Sequence, residues 1–233
     1  MINSLNSFFD HIYCINLSSR SDRWAECLVE FDKHEIKGVE RFEAIEGIPI
    51  AFNDYGTMGL EVNDNNYKVR LAGRIGCLLS HLEVIKAAKA HNYSNILILE
   101  DDVQFVDDIQ NRFFDSIDGL PDDWSLLYLG GNEKGTQTEV IPGILKVSNM
   151  LMAHAIGIQS HFYDELIELL TKCELPVDVY YAFLQQKYPC YVIYPYLAWQ
   201  RVGWSDIEQR FRIYDFNYRS PSLNEMLKCK KIK

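Results

Sequence analysis

A chain of 233 residues has room for one large domain with a sizeable core. Its 48% hydrophobic and 13% aromatic content excludes a disordered or fibrous class. A formal net charge of −10 argues against a broad nucleic-acid or anionic-membrane footprint. The six cysteines are scattered with no C-x-x-C pair, so neither a zinc cluster nor a redox dithiol is signalled. The opening M-I-N-S-L-N-S-F-F-D-H lacks a basic segment followed by a long apolar one, and no apolar run reaches membrane-spanning length. The expectation is a reduced, cytoplasmic protein.

Ile12 to Leu17 reads as a first buried strand, and Ser19-x-x-Asp22 as a helix-start signature. Trp24, Cys27, Leu28 and Phe31 follow at the spacing of a helix face. The turn between carries Arg20 and Arg23 beside Asn16. Those arginines could hold a diphosphate bidentately, or be solvated first-turn residues with Asp22 as partner. Val39 to Ile45 predicts a short strand, and Glu46 to Tyr67 a long irregular segment.

Helical periodicity returns from Gly73 to His91, with Ile75, Leu78, Leu79, Leu82 and Ile85 on one face. Gly73, Gly76 and Ser80 are small, and at a helix start they would admit either a ligand's phosphates or a neighbouring backbone. No Walker pattern and no G-x-G-x-x-G is present. Cys77 and His81 share a face at i, i+4; a buried thiol is a better reading than a nucleophile.

Asn95 to Val103, N-I-L-I-L-E-D-D-V, is the stretch around which the chain is organised. An unbroken apolar run suits a central strand covered on both faces. Glu100, Asp101 and Asp102 follow at its C-terminal end, where open α/β sheets bind ligands. Three adjacent carboxylates resist desolvation unless a cation or donor compensates them. A divalent-metal site and a solvated acidic turn are both consistent with that pattern.

Beyond it, a helix is expected from Asp107 to Ile117 and a strand from Trp124 to Leu129, followed by a polar loop from Gly131 to Pro142. Ile144–Val147 and Leu151–Ile158 read as antiparallel additions, with His154 inside the second. Ser160 to Thr171 is helical, and Pro176-Val177-Asp178 starts another helix, with Asp178 placed to cap it. Cys190 to Tyr196 is the last strand; Trp199-Gln200-Arg201 and Ser205-Asp206-Ile207 lie in irregular chain. The terminal K-C-K-K-I-K is either a weak electrostatic membrane hook or a frayed end.

Taken in order, Y-C-I-N-L (13–17) with Arg20, Asp22 and Arg23, A-I-E-G (44–47), G-R-I-G-C-L-L-S-H (73–81) and I-L-I-L-E-D-D-V (96–103) resemble glycosyltransferase family 25. That family includes lipooligosaccharide galactosyltransferases and collagen β-galactosyltransferases. Weaker echoes are L-L-Y-L-G (126–130), H-A-I (154–156), P-V-D (176–178) and Gln200 with S-D-I (205–207). Ile156, where the family often has an aromatic residue, and the Arg201–Trp204 insertion are departures.

The resemblance implies an α/β fold of the GT-A, Rossmann-like kind, with a mixed, mostly parallel sheet flanked by helices. A single catalytic domain would span 1–207, followed by a C-terminal extension over 208–233 with a basic tail. It also implies a UDP-galactose or UDP-glucose donor, Mn²⁺ with Mg²⁺ as alternative, inversion at the anomeric carbon, and a glycan or hydroxylated acceptor, as in lipopolysaccharide biosynthesis. Glu100-Asp101-Asp102 stands where the family has D-x-D, making Glu100 and Asp102 the expected metal ligands. Asn16, Arg20, Arg23, Arg74, Ser80, His81 and Asp101 are expected around the nucleotide, and Asp178 as the general base. The competing reading is an inactive relative of the same fold acting as a binding or scaffold protein. A metal-dependent nuclease would need a basic groove that the charge of −10 does not advertise.

Overall fold

The computed structural model describes residues 4–47, 60–61 and 66–213. After a short helix α1 (Leu5–Phe8), β1 (His11–Asn16) forms as expected and is buried along nearly its whole length. The chain turns on an Arg20 N–H to Leu17 C=O bond of 2.9 Å and enters α2 (Ser21–Lys33). The face that α2 buries is narrower than the sequence suggests, because Cys27 and Phe31 pack inward while Leu28 remains 50% exposed. β2 (Val39–Glu43) lies parallel to β1 at the edge of the sheet.

Helix α3 runs from Tyr67 to Ala90, so it begins six residues before the expected Gly73. Gly73, Gly76 and Ser80 therefore lie within the helix and not at its N-terminus, which removes the expected phosphate-binding helix start there. Their smallness serves the other purpose. A Cβ on Gly76 would stand 2.4 Å from the Ile45 carbonyl oxygen, and one on Gly47 1.7 Å from that of Ala72. The backbones of α3 and the 44–47 segment thus touch directly. Gly76→Ala is expected to force them apart and cost about 1–3 kcal/mol, the scale of overpacking. A melting temperature unchanged from the parent would show that the contact yields freely.

β3 (Asn95–Glu100) pairs parallel with β1, and its four apolar residues are fully buried. Successive strand side chains point to opposite faces. Ile96 and Ile98 pack in the core beneath α3, while Leu97 and Leu99 pack in the one formed with α1 and α2. Two covered faces are why this run contains no polar residue.

The chain then forms β4 (Val103–Phe105), α4 (Ile109–Ile117), β5 (Leu126–Tyr128), β6 (Asn132–Glu133) and β7 (Thr138–Ile141). The expected polar loop from Gly131 to Pro142 thus holds two short strands. β8 (Ile144–Lys146), β9 (Met150–Leu151) and β10 (Ala155–Gln159) follow. His154 precedes β10, in the bend after β9, and is not inside a strand. A one-turn 3₁₀ segment (Ser160–Phe162) leads into α5 (Tyr163–Leu170). α6 (Val177–Gln185) and β11 (Cys190–Ile193) come next. The stretch read as irregular contains β12 (Ala198–Gln200) and β13 (Gly203–Ser205), and the chain past residue 207 returns as β14 (Arg210–Arg212) against β13.

The main sheet has the order β2-β1-β3-β10-β5-β11-β8-β7. β10 and β8 run against their neighbours, so six of the eight strands point one way. The expected α/β class, a mixed, mostly parallel sheet between helical layers, is what forms. One detail differs: β10, read as an addition, sits at the centre between β3 and β5. No helix among the described residues is long and apolar enough to cross a membrane. The basic tail lies outside the described residues.

Candidate active site

The alternation that sorts the β3 side chains also sorts the three acids that follow. Glu100 takes the face of Ile96 and Ile98, beneath α3. Its Oε1 lies 3.4 Å from His81 Nε2 and 4.0 Å from Cys77 Sγ. Asp101 turns to the α2 side, where Oδ1 accepts from Arg23 Nη1 and Oδ2 from Asn16 Nδ2, each at 2.7 Å. Asp102 is fixed through its backbone carbonyl by the Arg201 N–H at 2.6 Å.

Gln200 joins the outer pair. Its amide nitrogen donates to Glu100 Oε2 at 3.3 Å and to the two Asp102 oxygens at 3.4 and 3.2 Å. It arrives there because β12 pairs antiparallel with β4, setting Gln200 opposite Val103. Burial, followed by the charges of Glu100 and Asp101, pushes the Asp102 carboxyl up to about 7. Burial acts the same way on Glu100, but the hydrogen bond and charge of His81, with His154 and Arg23, outweigh it and hold Glu100 below its ordinary value. The donor set of the outer pair is two carboxylates sharing excess negative charge. A hard divalent cation fits that set.

These acids border a cavity of about 360 Å³ at the C-terminal ends of β1 and β3. Its walls are Ile15 and Leu17, the 44–47 segment, the Ala72–Cys77 part of α3 and the Ser205–Ile207 strap. Apolar walls with a few convergent polar groups describe a small-molecule site.

The expected site residues divide into three groups. Glu100, Asp102, Arg20, Arg23, Ser80, His81 and Asp101 border the cavity. Within that group Ser80 is fully buried, its hydroxyl donating to the Gly76 carbonyl (2.7 Å) and accepting from the Ile45 N–H (2.8 Å). It ties α3 to the chain after β2. Arg20 pairs with Asp22 and Asp206, and Arg23 with Asp101 and the Trp204 carbonyl, so both guanidiniums are engaged by the protein. Asn16 and Arg74 form the second group, behind the wall. Asn16 is 1% exposed and links Asp101, the Arg20 carbonyl and Arg41; Arg74 pairs with Glu208 at 3.1 Å.

Asp178 stands apart. The N-cap of α6 is Pro176, so Asp178 is a first-turn residue and not the cap. Its Oδ2 accepts the Met152 N–H at 3.2 Å, and Met152 itself holds a left-handed φ of 73°. Burial, with Glu100 adding to it, raises the Asp178 carboxyl above its ordinary value despite that hydrogen bond.

Arg41, which holds Asn16, and Tyr181, whose hydroxyl lies 3.1 Å from His81 Nδ1, were not singled out in the sequence, while Gln200 and Asp206 were. Gln200 carried a signal only as a late echo of the family. Its role depends on a strand pairing that spans about a hundred residues, which no local spacing reveals.

The sequence model of "Glycosyltransferase family 25 (LPS biosynthesis protein)" matches residues 9–180. Procollagen galactosyltransferase 2 of Homo sapiens is 31% identical over 130 residues, covering 52% of this chain and 21% of that protein. A glycosyltransferase 25 family member of Aedes aegypti is 28% identical over 195 residues, 77% of this chain and 31% of its own. The inactive glycosyltransferase 25 family member 3 of Mus musculus is 25% identical over 153 residues, 59% of this chain and 25% of its own. The chain therefore matches between about a fifth and a third of the length of these relatives.

Proposed function

The chain belongs to glycosyltransferase family 25, and from that premise we propose that it transfers a hexose, galactose first and glucose second, from a UDP-sugar to a glycan or hydroxylated acceptor. The observation that carries this reading is the Glu100–Asp102 pair, bridged by one Gln200 amide at the edge of a cavity of about 360 Å³. Two converging carboxylates with unbalanced negative charge are what a divalent cation would neutralise, and that cation would in turn attract an anionic diphosphate. A bound Mn²⁺ or Mg²⁺ would supply Lewis-acid stabilisation of the charge that develops on the leaving diphosphate.

The chain's own residues supply the rest. The slot between the end of β1 and α3 would take the base and ribose. Arg20 and Arg23, at the cavity wall, would meet the diphosphate by exchanging part of their contact with Asp206 and Asp101. Asp178, on the α6 side, would take the acceptor proton, which corresponds to inversion at the anomeric carbon. The similarity to an inactive mouse relative motivates a second reading, a binding or scaffold protein; the presence of Glu100, Asp102 and Asp178 together favours activity.

A donor panel of UDP-, GDP- and CMP-sugars, scored for hydrolysis with Mn²⁺ and again in excess EDTA, tests the proposal. Turnover confined to UDP-hexoses and lost with EDTA is expected. Full turnover in EDTA would remove the metal from the reading. No turnover of any donor, with UDP still bound, would favour the scaffold reading.

A further inference from the structure

The same Glu100 that faces Asp102 on one side faces a thiol and an imidazole on the other. Cys77 and His81 lie one helical turn apart on α3, so their side chains project together. One ligand atom from each of Cys77, His81 and Glu100 lies within 4.8 Å of the other two. We propose that these three groups form a site for a borderline-soft divalent cation, Zn²⁺ foremost, which the carboxylate pair alone would not select.

The geometry is close to what such an ion requires. With Zn–S near 2.3 Å and Zn–N and Zn–O near 2.0–2.2 Å, tetrahedral ligand atoms stand about 3.4 Å apart for N and O and about 3.6 Å for S and O. The His81–Glu100 separation is 3.4 Å, and the Cys77–Glu100 separation is 4.0 Å. Closing the second gap takes a few tenths of an ångström, and the Cys77–His81 pair, which lies within 4.8 Å, asks for a Cys77 shift of up to about an ångström.

An independent feature points the same way. His81 Nδ1 lies 3.1 Å from the Tyr181 hydroxyl, a contact buried from solvent. A metal on Nε2 requires the proton on Nδ1, and the Tyr181 oxygen is there to accept it. Such an outer partner fixes the tautomer and orientation of a ligating histidine. Glu100 Oε2 is likewise held by Gln200, leaving Oε1 to face the thiol and the ring. Three protein ligands leave a fourth position, and all three residues border the cavity. Thiolate and imidazole ligands favour Zn²⁺ and Co²⁺ over Mn²⁺ and Mg²⁺. Binding displaces the thiol proton of Cys77 to buffer, and the metal replaces the Nε2 proton of the His81–Glu100 hydrogen bond, leaving a neutral ring with its one proton on Nδ1.

One consequence rests on the function proposed above: Zn²⁺ at this site engages Glu100 and so opposes Mn²⁺-supported transfer. The site itself is tested without donor or acceptor. The full chain, stripped of metal by chelator and reduced, is titrated with Co²⁺. A near-ultraviolet thiolate-to-cobalt charge-transfer band saturating at one equivalent is expected, bleached by Zn²⁺ and untouched by excess Mg²⁺. Cys77→Ser should remove the band while circular dichroism stays that of the parent. Tyr181→Phe should weaken Co²⁺ and Zn²⁺ binding about 10- to 100-fold. A band retained in Cys77→Ser, or no band in the parent, overturns the proposal. Zinc K-edge absorption of the parent, loaded with one equivalent, needs no variant. One sulfur ligand is expected, and a shell of nitrogen and oxygen only would overturn the site even if Cys77→Ser failed to fold. An active transferase with no cobalt band would separate the loss of this site from the loss of the function reading.

Discussion

Asp102→Asn is expected to abolish donor turnover and, in the metal-free protein, to raise the melting temperature at pH 8. Both effects come from the same charge. Asp102 shares a partly buried site with Glu100 and Asp101, and its folded carboxyl is pushed up to about 7 from an ordinary 3.8. A carboxyl whose folded pKa is raised costs stability when ionised: the folded state holds its proton more tightly than the unfolded chain does. The metal-free protein therefore loses stability as pH rises from about 4 to about 7, and the loss is complete above that. At about 1.36 kcal/mol per unit, the ionised Asp102 carries a penalty on the order of 2–4 kcal/mol. Asparagine has no charge to desolvate, and its carbonyl oxygen still accepts from Gln200. The stability gain should be full at pH 8 and vanish below pH 4. Turnover with saturating Mn²⁺ should fall by about 10³-fold or more, as when a partner to developing charge is removed. Thermal unfolding in EDTA at the two pH values, with donor hydrolysis beside it, checks both halves. Activity near the parent's would remove Asp102 from the metal site; a lower melting temperature at pH 8 would mean its charge is already compensated by the protein.

How far this site was legible in the sequence follows from which links are local. The unbroken Ile96–Leu99 run announced a strand covered on both faces, and the alternation of strand side chains then fixes which acid faces α3 and which faces α2. That alternation is a local property, so it puts Glu100 and Asp101 on opposite faces whatever the rest of the fold does. The start of α3 was not legible. The sequence before Tyr67 carries no helical periodicity, and Asn66 at the N-cap makes no side-chain capping hydrogen bond. The glycines at 73 and 76 looked like a beginning because a close backbone approach inside a helix and a ligand approach at its start ask for the same small residue.

The roles of Asn16 and Ser80 were hidden for another reason. Both are polar residues of the kind a nucleotide would use, yet both are buried, and a buried polar group is satisfied by protein neighbours. Gln200 was hidden by distance along the chain, since only the β4–β12 pairing brings it under the acids.

The most exposed expectation concerns Asp178, and the structure sharpens the two accounts of it. As a general base it needs a carboxylate with a raised proton affinity near the reacting centre. Burial and the nearby Glu100 charge raise it, and a raised carboxyl is a stronger base than an ordinary surface carboxylate. As a structural tie it accepts the N–H of Met152, a residue held at φ 73° in the bend that leads to His154 and β10. Asparagine at 178 keeps an oxygen for that N–H and removes the basic carboxylate. Asp178→Asn should therefore reduce transfer by about 10²–10⁴-fold, with UDP affinity and melting temperature close to the parent's. Asp178→Ala loses the base and also leaves the Met152 N–H without its acceptor, so it should lose about 1 kcal/mol or more of stability in addition. A structural tie predicts a different split: Asp178→Asn transfers at the parent rate and only Asp178→Ala is impaired. In that event the base lies elsewhere. Asp206 is then a poor substitute while it pairs with Arg20, whereas Glu133 has a buried Oε2 with no hydrogen-bond partner among the described residues. Glu133→Gln, assayed for transfer and for UDP binding, is the variant that would follow.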